Sequence, residues 1–160
     1  MEKPQKSSRK VQIFGPRKSK VNEDFPGFKF LEHTADVKFQ AYGKSLNEVF
    51  ENSSLAMFNV MYDGKVKSII KKKIKVKGKD FESLLYNFLE ELLFLLDSEN
   101  FFLASCKVKI NEKKLELEAE LKGDKAGNYP ASLDVKAVTY NQMFVKKEKN
   151  KYICQVVLDV

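Results

Sequence analysis

The sequence predicts an α+β fold, a single compact domain in which two main helices pack on a mixed, mostly antiparallel β-sheet. Three observations predict it. Two segments, 46–62 and 81–96, have apolar residues at helical spacing. Several others alternate apolar and polar residues, as half-buried strands do, and those late in the chain are joined by short turns, as antiparallel hairpins are. A chain of 160 residues is long enough for one core without disulfides or a structural metal.

Residues 1–27 are predicted to be a basic N-terminal extension, separate from a domain of residues 28–160. The extension holds seven Lys or Arg against three acids, and three of the four prolines, so we expect it to be disordered. It accounts for most of the formal net charge of +7. Such a tail either attracts phosphates, RNA being the obvious polyanion, or serves only as a solubilising extension.

The first helix follows directly from a strand. Val37, Phe39 and Ala41 alternate with polar residues and predict a strand that ends at Gly43. Ser45 then begins a helix at about 46–62 with a capping box, because Glu48 stands three residues further on and can reach back to the Ser45 N–H. An Asp-Gly pair at 63–64 ends this helix.

The second helix is predicted to be the central one. A strand at 68–76 with outward lysines precedes it, and Asp80 caps a helix over 81–96. The apolar face of this helix is wider than a single amphipathic stripe, so we expect it to pack on a sheet on one side and on the first helix on the other.

The remaining sequence predicts strands. They are expected at 106–110, 115–121, 133–140, 143–147 and 152–158, with a loop at 123–132 and a turn at 148–150. No internal repeat is evident in the sequence.

Several classes of protein are excluded or disfavoured. Asn87, Glu90 and Glu91 interrupt the longest apolar run, and no signal peptide is evident, so we expect no membrane association and a cytoplasmic protein, or a nuclear one in a eukaryote. Cys106 and Cys154 are far apart without a CxxC partner, which favours buried free thiols over a zinc site. There is no phosphate-binding glycine loop, nucleophile elbow, zinc-protease helix or EF-hand loop.

Acidic residues at the ends of strands are the first candidate site. Asp36 immediately precedes an apolar strand, Asp159 follows one, and Val160 adds the oxygens of the last residue. If these strand ends meet, the carboxylates repel one another unless one is protonated or a cation lies between them. Hard oxygen ligands suit calcium, magnesium or manganese rather than zinc. The alternative is that isolated acids at strand ends are simply solvated.

His33 and Lys136 are two further candidates. His33, the one histidine of the chain, lies between Glu32 and Asp36 and is either a hydrogen-bonded structural residue or a ligand or base. In the alternating run 133–140, Lys136 falls on the face opposite 133, 135, 137 and 139. There it is either exposed to solvent or directed toward an acidic group or a phosphate.

Four stretches in this order resemble the archease family: FLEHTADVKFQAYGKSLNEVFENSSLAMFNVM, FESLLYNFLEELLFL, LDVKAVTYNQM and the terminal VVLDV. The resemblance covers essentially all of residues 28–160 and leaves the basic extension outside. It implies an activator rather than a stand-alone enzyme. The implied partner is the tRNA-splicing RNA ligase, which joins a 2′,3′-cyclic-phosphate or 3′-phosphate end to a 5′-hydroxyl end, and whose guanylylation and multiple turnover the activator promotes.

The resemblance also implies a site. Its members bind a divalent cation, expected to be calcium, with magnesium or manganese as alternatives, and the matching positions here are Asp36, Asp159 and Val160. Lys136 matches a lysine implicated in function, and His33 lies in the matching EHTAD motif. This chain has Asn141 where the family commonly has histidine, so a role for an imidazole at that position does not transfer.

Two other functions compete with ligase activation. One is an RNA-binding accessory module that acts through the basic extension, with an affinity for RNA that falls steeply with salt. The other is a metal-dependent phosphoester hydrolase with His33 as base and Asp36 as metal ligand. This hydrolase ranks last, because the sequence offers one histidine and no recognisable nucleophile.

Overall fold

The computed structural model describes residues 27–160. The elements in order are β1 Phe28–Leu31, β2 Val37–Gly43, α1 Leu46–Met61, β3 Ile70–Lys77, α2 Phe81–Glu99, β4 Phe101–Asn111, β5 Glu116–Lys125, a 3-10 turn Ala126–Asn128, β6 Ala137–Glu148 and β7 Lys151–Asp159. The predicted α+β class, with two helices on antiparallel strands, is confirmed. The predicted N-terminal extension lies outside the described residues, apart from its last residue.

The strands form two sheets rather than one. The first sheet has the order β1-β2-β7-β6 and the second has the order β3-β5-β4. Each pair of neighbouring strands is antiparallel. No helix among the described residues has both the length and the apolar composition needed to cross a bilayer.

Both helices begin at side-chain caps. The Ser45 hydroxyl accepts a hydrogen bond from the Glu48 N–H at 3.2 Å, as predicted. Glu48 reaches back one residue further than predicted, because its carboxylate accepts from the Lys44 N–H at 2.6 Å. Asp80 caps α2 in a capping box with Ser83. This helix continues to Glu99, three residues beyond the predicted end.

A repeated local structure joins each helix to the strand before it. A Cβ on Gly43 would lie 2.7 Å from the Val49 nitrogen, and a Cβ on Gly78 would lie 2.6 Å from the Leu84 nitrogen. Each helix therefore packs directly on the backbone of a glycine. In each unit an asparagine of the helix donates to the carbonyl ten residues earlier, namely Asn52 to Tyr42 and Asn87 to Lys77. The structure thus contains a repeat that the sequence did not reveal.

The core lies where both helices meet both sheets. α1 packs on β2 of the first sheet and on β4 of the second. α2 packs on β6 of the first sheet and on β3 and β4 of the second. The prediction had α2 on one sheet only. The helices touch through Phe50 and Phe88, whose ring centroids are 6.1 Å apart. The largest fully buried side chains are Phe39, Phe50, Phe88, Phe101, Met57, Met61, Leu84, Leu85, Leu89, Leu92, Leu103 and Leu117.

Each helix also covers an edge strand of the sheet that it does not follow. α1 follows the first sheet, and its Glu51 accepts a hydrogen bond from the Val108 N–H of β4 at 2.7 Å. α2 follows the second sheet, and its Glu90 accepts from the Val138 N–H of β6 at 2.8 Å. Asn47 and Glu82 make the corresponding bonds to Ile110 and Val145. These bonds occupy N–H groups that an edge strand otherwise leaves open.

Four strands differ from the prediction. β5 continues to Lys125, four residues beyond its predicted end and into the predicted loop. β1 was not predicted, because four residues are too few for a clear alternation. β4 begins at Phe101 instead of 106, since its first residues are a short apolar run that lacks the alternation typical of a half-buried strand. The two strands predicted at 133–140 and 143–147 are one strand, β6, whose pairing with β7 is shifted between Thr139 and Phe144.

Candidate functional site

The pairing of β2 with β7 brings the two candidate acids together. Val37 and Leu158 are the last pair of this ladder, so Asp36 and Asp159 each lie one residue beyond it, at the same end of the sheet. On the other side of β7, Asp159 is paired with Ala137 of β6. The two carboxylates therefore share one end of the first sheet.

Burial shows on which face they lie. Val37 and Leu158 are 4% and 0% exposed and belong to the core. Alternation places Asp159 on the face of β7 opposite Leu158, which it shares with Val157, and Val157 is only 1% exposed, so this face is covered along the strand and open at its end. The side chain of Asp36 is 34% exposed and Asp159 is exposed, whereas Val160 packs against the core. The site is thus a solvent-facing pair of acids on a rigid base.

Lys136 is tied to this site through its main chain. The Lys136 N–H donates to the Asp159 carbonyl at 2.7 Å, and the residue itself is exposed. The predicted faces of its segment need correction, because β6 begins only at Ala137. Near the start of the strand the buried residue is Val138, which was predicted to share a face with Lys136. Lys136 therefore precedes the strand, with its backbone fixed and its side chain in solvent.

His33 adds a nitrogen beside Asp36. Its Nδ1 lies 3.8 Å from Asp36 Oδ2, and the imidazole is 17% exposed. This nitrogen is buried and makes no hydrogen bond within residues 27–160. Between the two residues, Ala35 has a φ of 68°, in the left-handed region that costs an L-residue about 1–2 kcal/mol. A strained turn of this kind fixes the direction in which the Asp36 side chain leaves the backbone.

The structure adds two residues that the sequence analysis missed. Lys38 lies two residues after Asp36 on the same face, and its Nζ donates to Gln142 Oε1 at 3.1 Å. Gln142 has a φ of 55° within the irregular part of β6, and its carbonyl accepts from Gln155 Nε2 at 2.8 Å. Alternation along β2 could have pointed to Lys38. Nothing in the sequence places Gln142, because its position depends on the irregular pairing of β6.

The side chains of the two acids do not by themselves make up a metal site. Within the described part of the chain, no three His, Cys, Asp or Glu side chains are grouped so that they could hold a metal ion. A site at Asp36 and Asp159 would therefore need main-chain or carboxylate oxygens of Val160 as further ligands. Oxygen ligands of this kind suit calcium, magnesium or manganese. Nδ1 of His33 lies beside Asp36 and makes no hydrogen bond within the described residues.

The cysteines do not contribute to a metal site. Burial raises the pKa of Cys106 to about 11 and the pKa of Cys154 to about 12, so both remain protonated thiols at neutral pH. Cys106 lies in the second sheet with its sulfur 3.3 Å from the Ser54 hydroxyl, and Cys154 is in the core. This agrees with the interpretation of both as structural free cysteines.

Comparison with known sequences gives a family. The model of the Archease protein family matches residues 28–160. The archease of Sulfurisphaera tokodaii is 41% identical over 136 residues, which cover 83% of this chain and 98% of the relative. The archease of Methanosarcina barkeri is 41% identical over 139 residues, covering 83% of this chain and 95% of the relative.

Solved structures agree with the fold. The solution structure of protein 1598 from Methanobacterium thermoautotrophicum has a TM-score of 0.72 at 38% identity, covering 84% of this chain and 99% of that one. The crystal structure of a Thermotoga maritima archease, described as a possible chaperone, has a TM-score of 0.56 at 16% identity. It covers 81% of this chain and 94% of that one, and it bears on the fold alone.

Proposed function

The chain belongs to the archease family, and on that premise we propose that it is an activator of a tRNA-splicing RNA ligase rather than an enzyme in its own right. The observation that supports the proposal is the β2–β7 pairing, which brings Asp36 and Asp159 to the same end of the first sheet, where both are accessible to solvent. A partner protein can reach both carboxylates there. The protein would act where the ligase acts, in the cytoplasm.

In the proposed mechanism, Asp36 and Asp159 hold a divalent cation together with the oxygens of Val160. Such an ion, when bound, supplies positive charge that compensates nucleotide phosphates during guanylylation of the ligase. The chain supplies the rigidity. Asp159 is held between two strands, and Asp36 by the turn at Ala35, so neither carboxylate has to be ordered when the ligase docks.

Lys136 and Lys38 have a different part in this proposal. Both are cationic groups next to the acidic pair, one fixed through its N–H to the Asp159 carbonyl and the other through its Nζ to Gln142. The Lys136 side chain is exposed and therefore available to a phosphate or a carboxylate of the ligase complex. The Lys38 side chain limits the repulsion between Asp36 and Asp159 when they approach a further anion.

The proposal is tested by a guanylylation assay of the ligase with GTP, with and without the full chain. We expect Asp159→Ala to reduce the stimulation to the level of the ligase alone, because one of the two carboxylates is lost. Asp97→Ala is the matched control, since Asp97 is an exposed acid near the end of α2, outside the site. Full stimulation by Asp159→Ala would remove the carboxylate pair from the mechanism.

Metal binding is tested separately by calorimetric titration of the protein alone with Ca²⁺ and with Mn²⁺. Wild type and Asp97→Ala should bind, whereas Asp36→Ala and Asp159→Ala should show strongly weakened binding. Equal binding by all four proteins would place the cation elsewhere. If binding is lost but ligase stimulation persists, the site holds a cation that activation does not need.

The hydrolase alternative rests on one observation, the unpaired Nδ1 of His33 close to Asp36. It predicts that the purified protein hydrolyses a phosphoester unaided in the presence of a divalent cation, and that His33→Ala abolishes this activity. The RNA-binding alternative concerns residues outside the described range and stays a prediction. Deleting residues 1–27 should abolish RNA affinity if the extension alone provides it.

A further inference from the structure

The outer face of the second sheet carries a concentration of positive charge. Alternation exposes seven lysines and three glutamates on this lysine face, which consists of Lys71, Lys73, Lys75 and Lys77 of β3, Glu116, Glu118, Glu120 and Lys122 of β5, and Lys107 and Lys109 of β4. Residues 28–160 as a whole hold 22 basic and 19 acidic residues. The excess of basic over acidic residues on this one face is therefore larger than the same excess in the entire domain.

The glutamates do not neutralise the face. The central strand β5 carries them, so Glu118 lies between Lys75 and Lys109 in the register, and the three glutamates face seven lysines. Lys77 and Glu116 form an ion pair with an N–O distance of 3.6 Å. The ion pair of Lys75 with Glu118 has an N–O distance of 3.6 Å, and its side chains are 61% and 63% exposed. Exposed pairs of this kind are weak, so the lysines remain available to another anion.

The lysines of β3 form a straight column that leads to an aromatic platform. Alternate residues of a strand are about 6.7 Å apart, so Lys71, Lys73, Lys75 and Lys77 present evenly spaced charges. At the end of this column is a shallow depression lined by Lys77, Gly78, Lys79, Ser83, Asn87 and Tyr140. Lys77 is therefore the one residue of the column that also lines the depression with the tyrosine ring.

Tyr140 is the unusual member of that surface. Its ring stacks on Tyr86 with centroids 4.3 Å apart and an interplanar angle of 8°. The residue is nevertheless 52% exposed and is one of the most exposed large hydrophobic residues of residues 27–160. A ring that is held parallel to a second ring and open to solvent is a rigid surface on which a further planar group can stack.

We propose that a single strand of RNA binds this surface, with its phosphates along the β3 lysines and a base stacked on Tyr140. Proteins that bind single strands combine a positive track for the backbone with aromatic rings for the bases, and they tolerate many sequences. An acidic peptide would satisfy the lysines but offers no base for the tyrosine. A duplex keeps the faces of its bases covered. The inference goes beyond ligase activation and does not depend on it.

The lysine column is tested by fluorescence anisotropy with the full chain and an unstructured RNA of about 12 nucleotides, within the usual site sizes. The test variant replaces Lys71, Lys73 and Lys75 with Gln. The matched control replaces Lys147, Lys149 and Lys151, in the β6–β7 hairpin of the first sheet, with Gln. Both variants lose three charges and retain the N-terminal extension, so any contribution of that extension cancels in the comparison.

We expect the β3 variant to bind at least about tenfold more weakly than the control, and its salt slope to fall by about two, since each phosphate contact contributes about 0.7 for a single strand. Tyr140→Ala should weaken binding about tenfold, whereas Tyr140→Phe should retain it, because the ring alone provides the stacking. Asp159→Ala should bind RNA normally, which separates this surface from the candidate metal site.

Three results would overturn the inference. The first is an equal loss of affinity in the two lysine variants, which would mean that RNA follows net charge alone. The second is unchanged affinity in Tyr140→Ala, which would remove the stacked base. The third is that duplex RNA or a polyglutamate peptide competes as well as the single strand, which would assign the surface to a duplex or to an acidic protein partner.

Discussion

Asp124 shows how a single residue couples the fold to pH. It is 5% exposed and accepts hydrogen bonds from the Tyr129 hydroxyl at 2.6 Å and from the Lys125 N–H at 2.8 Å. These bonds lower the pKa of the Asp124 carboxyl below its ordinary value, the tyrosine having the larger effect, and the same bond raises the pKa of Tyr129. The carboxylate therefore stabilises the fold only while it is ionised.

The expected pH dependence follows from the direction of this shift. Because the pKa of Asp124 is lower in the folded protein, its contribution is fully present above the unfolded value of about 3.9 and is lost as the pH falls through the folded value. Urea unfolding between about pH 6 and pH 3 should show a smaller loss of stability for Asp124→Asn than for wild type. Asp97→Asn should follow wild type. An unchanged pH profile for Asp124→Asn would contradict this role.

The candidate site was partly predictable residue by residue. Asp36 and Asp159 could be singled out because each directly flanks an apolar strand, and that information is local. The pairing of β2 with β7, which brings them to the same end of the sheet, joins Val37 to Leu158, more than 120 positions away, and sequence position alone does not determine it. The left-handed Ala35 and the contact of Lys38 with Gln142 depend on irregular backbone, for which the side chains give no signal.

At the scale of elements, the close approach of each helix to a glycine gives a stability prediction. A Cβ at Gly78 would lie 2.6 Å from the nitrogen and 2.7 Å from the Cα of Leu84, which are backbone atoms that cannot turn aside. Gly78→Ala should therefore lower the free energy of unfolding by about 1–3 kcal/mol, as overpacked sites do. Denaturant unfolding measures this change.

The matched control for Gly78 is Gly127→Ala. Nothing lies within 4 Å of a Cβ at Gly127, so this variant should remain within about 0.5 kcal/mol of wild type. Equal stability of the two variants would mean that α2 can move away from β3 at little cost. In that case the glycines would not set the distance between helix and strand.

A second prediction at this scale concerns the edge of β6. Glu90→Ala leaves the Val138 N–H without its acceptor, which costs about 1–3 kcal/mol if the group stays buried. We expect faster hydrogen exchange of the Val138 amide, next to Lys136 and Tyr140. Glu90→Gln keeps an acceptor oxygen and should preserve protection. Equal exchange in Glu90→Ala and wild type would show that α2 does not hold this edge.

The helices were the most predictable elements, because a 3.6-residue period and side-chain caps are both local signals. The strands were less so. The sequence of β6 predicts two strands because residues 140–143 interrupt the alternation of apolar and polar residues. The chain nevertheless forms one strand, whose pairing with β7 is irregular at this point. The start of β4 was missed because its first three residues are all apolar and buried, so they show no alternation.

At the scale of the whole molecule, the division into two sheets was the main feature that the sequence did not predict. Alternation says which face of a strand is buried but not which strand is its neighbour. The chain places β3, β4 and β5 in one sheet and the first two strands with the last two in the other. This arrangement moves the end of the chain into the first sheet, beside β2, and so creates the acidic pair.

The division also separates the two proposed functional surfaces. The carboxylate pair lies at one end of the first sheet, whereas the lysine column lies on the outer face of the second. Tyr140 belongs to β6 of the first sheet but stacks on α2, which follows the second, so it stands at the junction of the two halves. One molecule could thus present a cation and a strand of RNA to the same ligase.

The central claim is that Asp36 and Asp159 act as one site, and a double-mutant cycle on ligase guanylylation tests it most directly. Rates are measured with wild type, Asp36→Asn, Asp159→Asn and the double variant. Substitutions of groups that act as a unit have strongly non-additive effects. The double variant should therefore stimulate the ligase as much as the single variant with the lower stimulation. Losses that simply multiply, or single variants that stimulate like wild type, would contradict the claim.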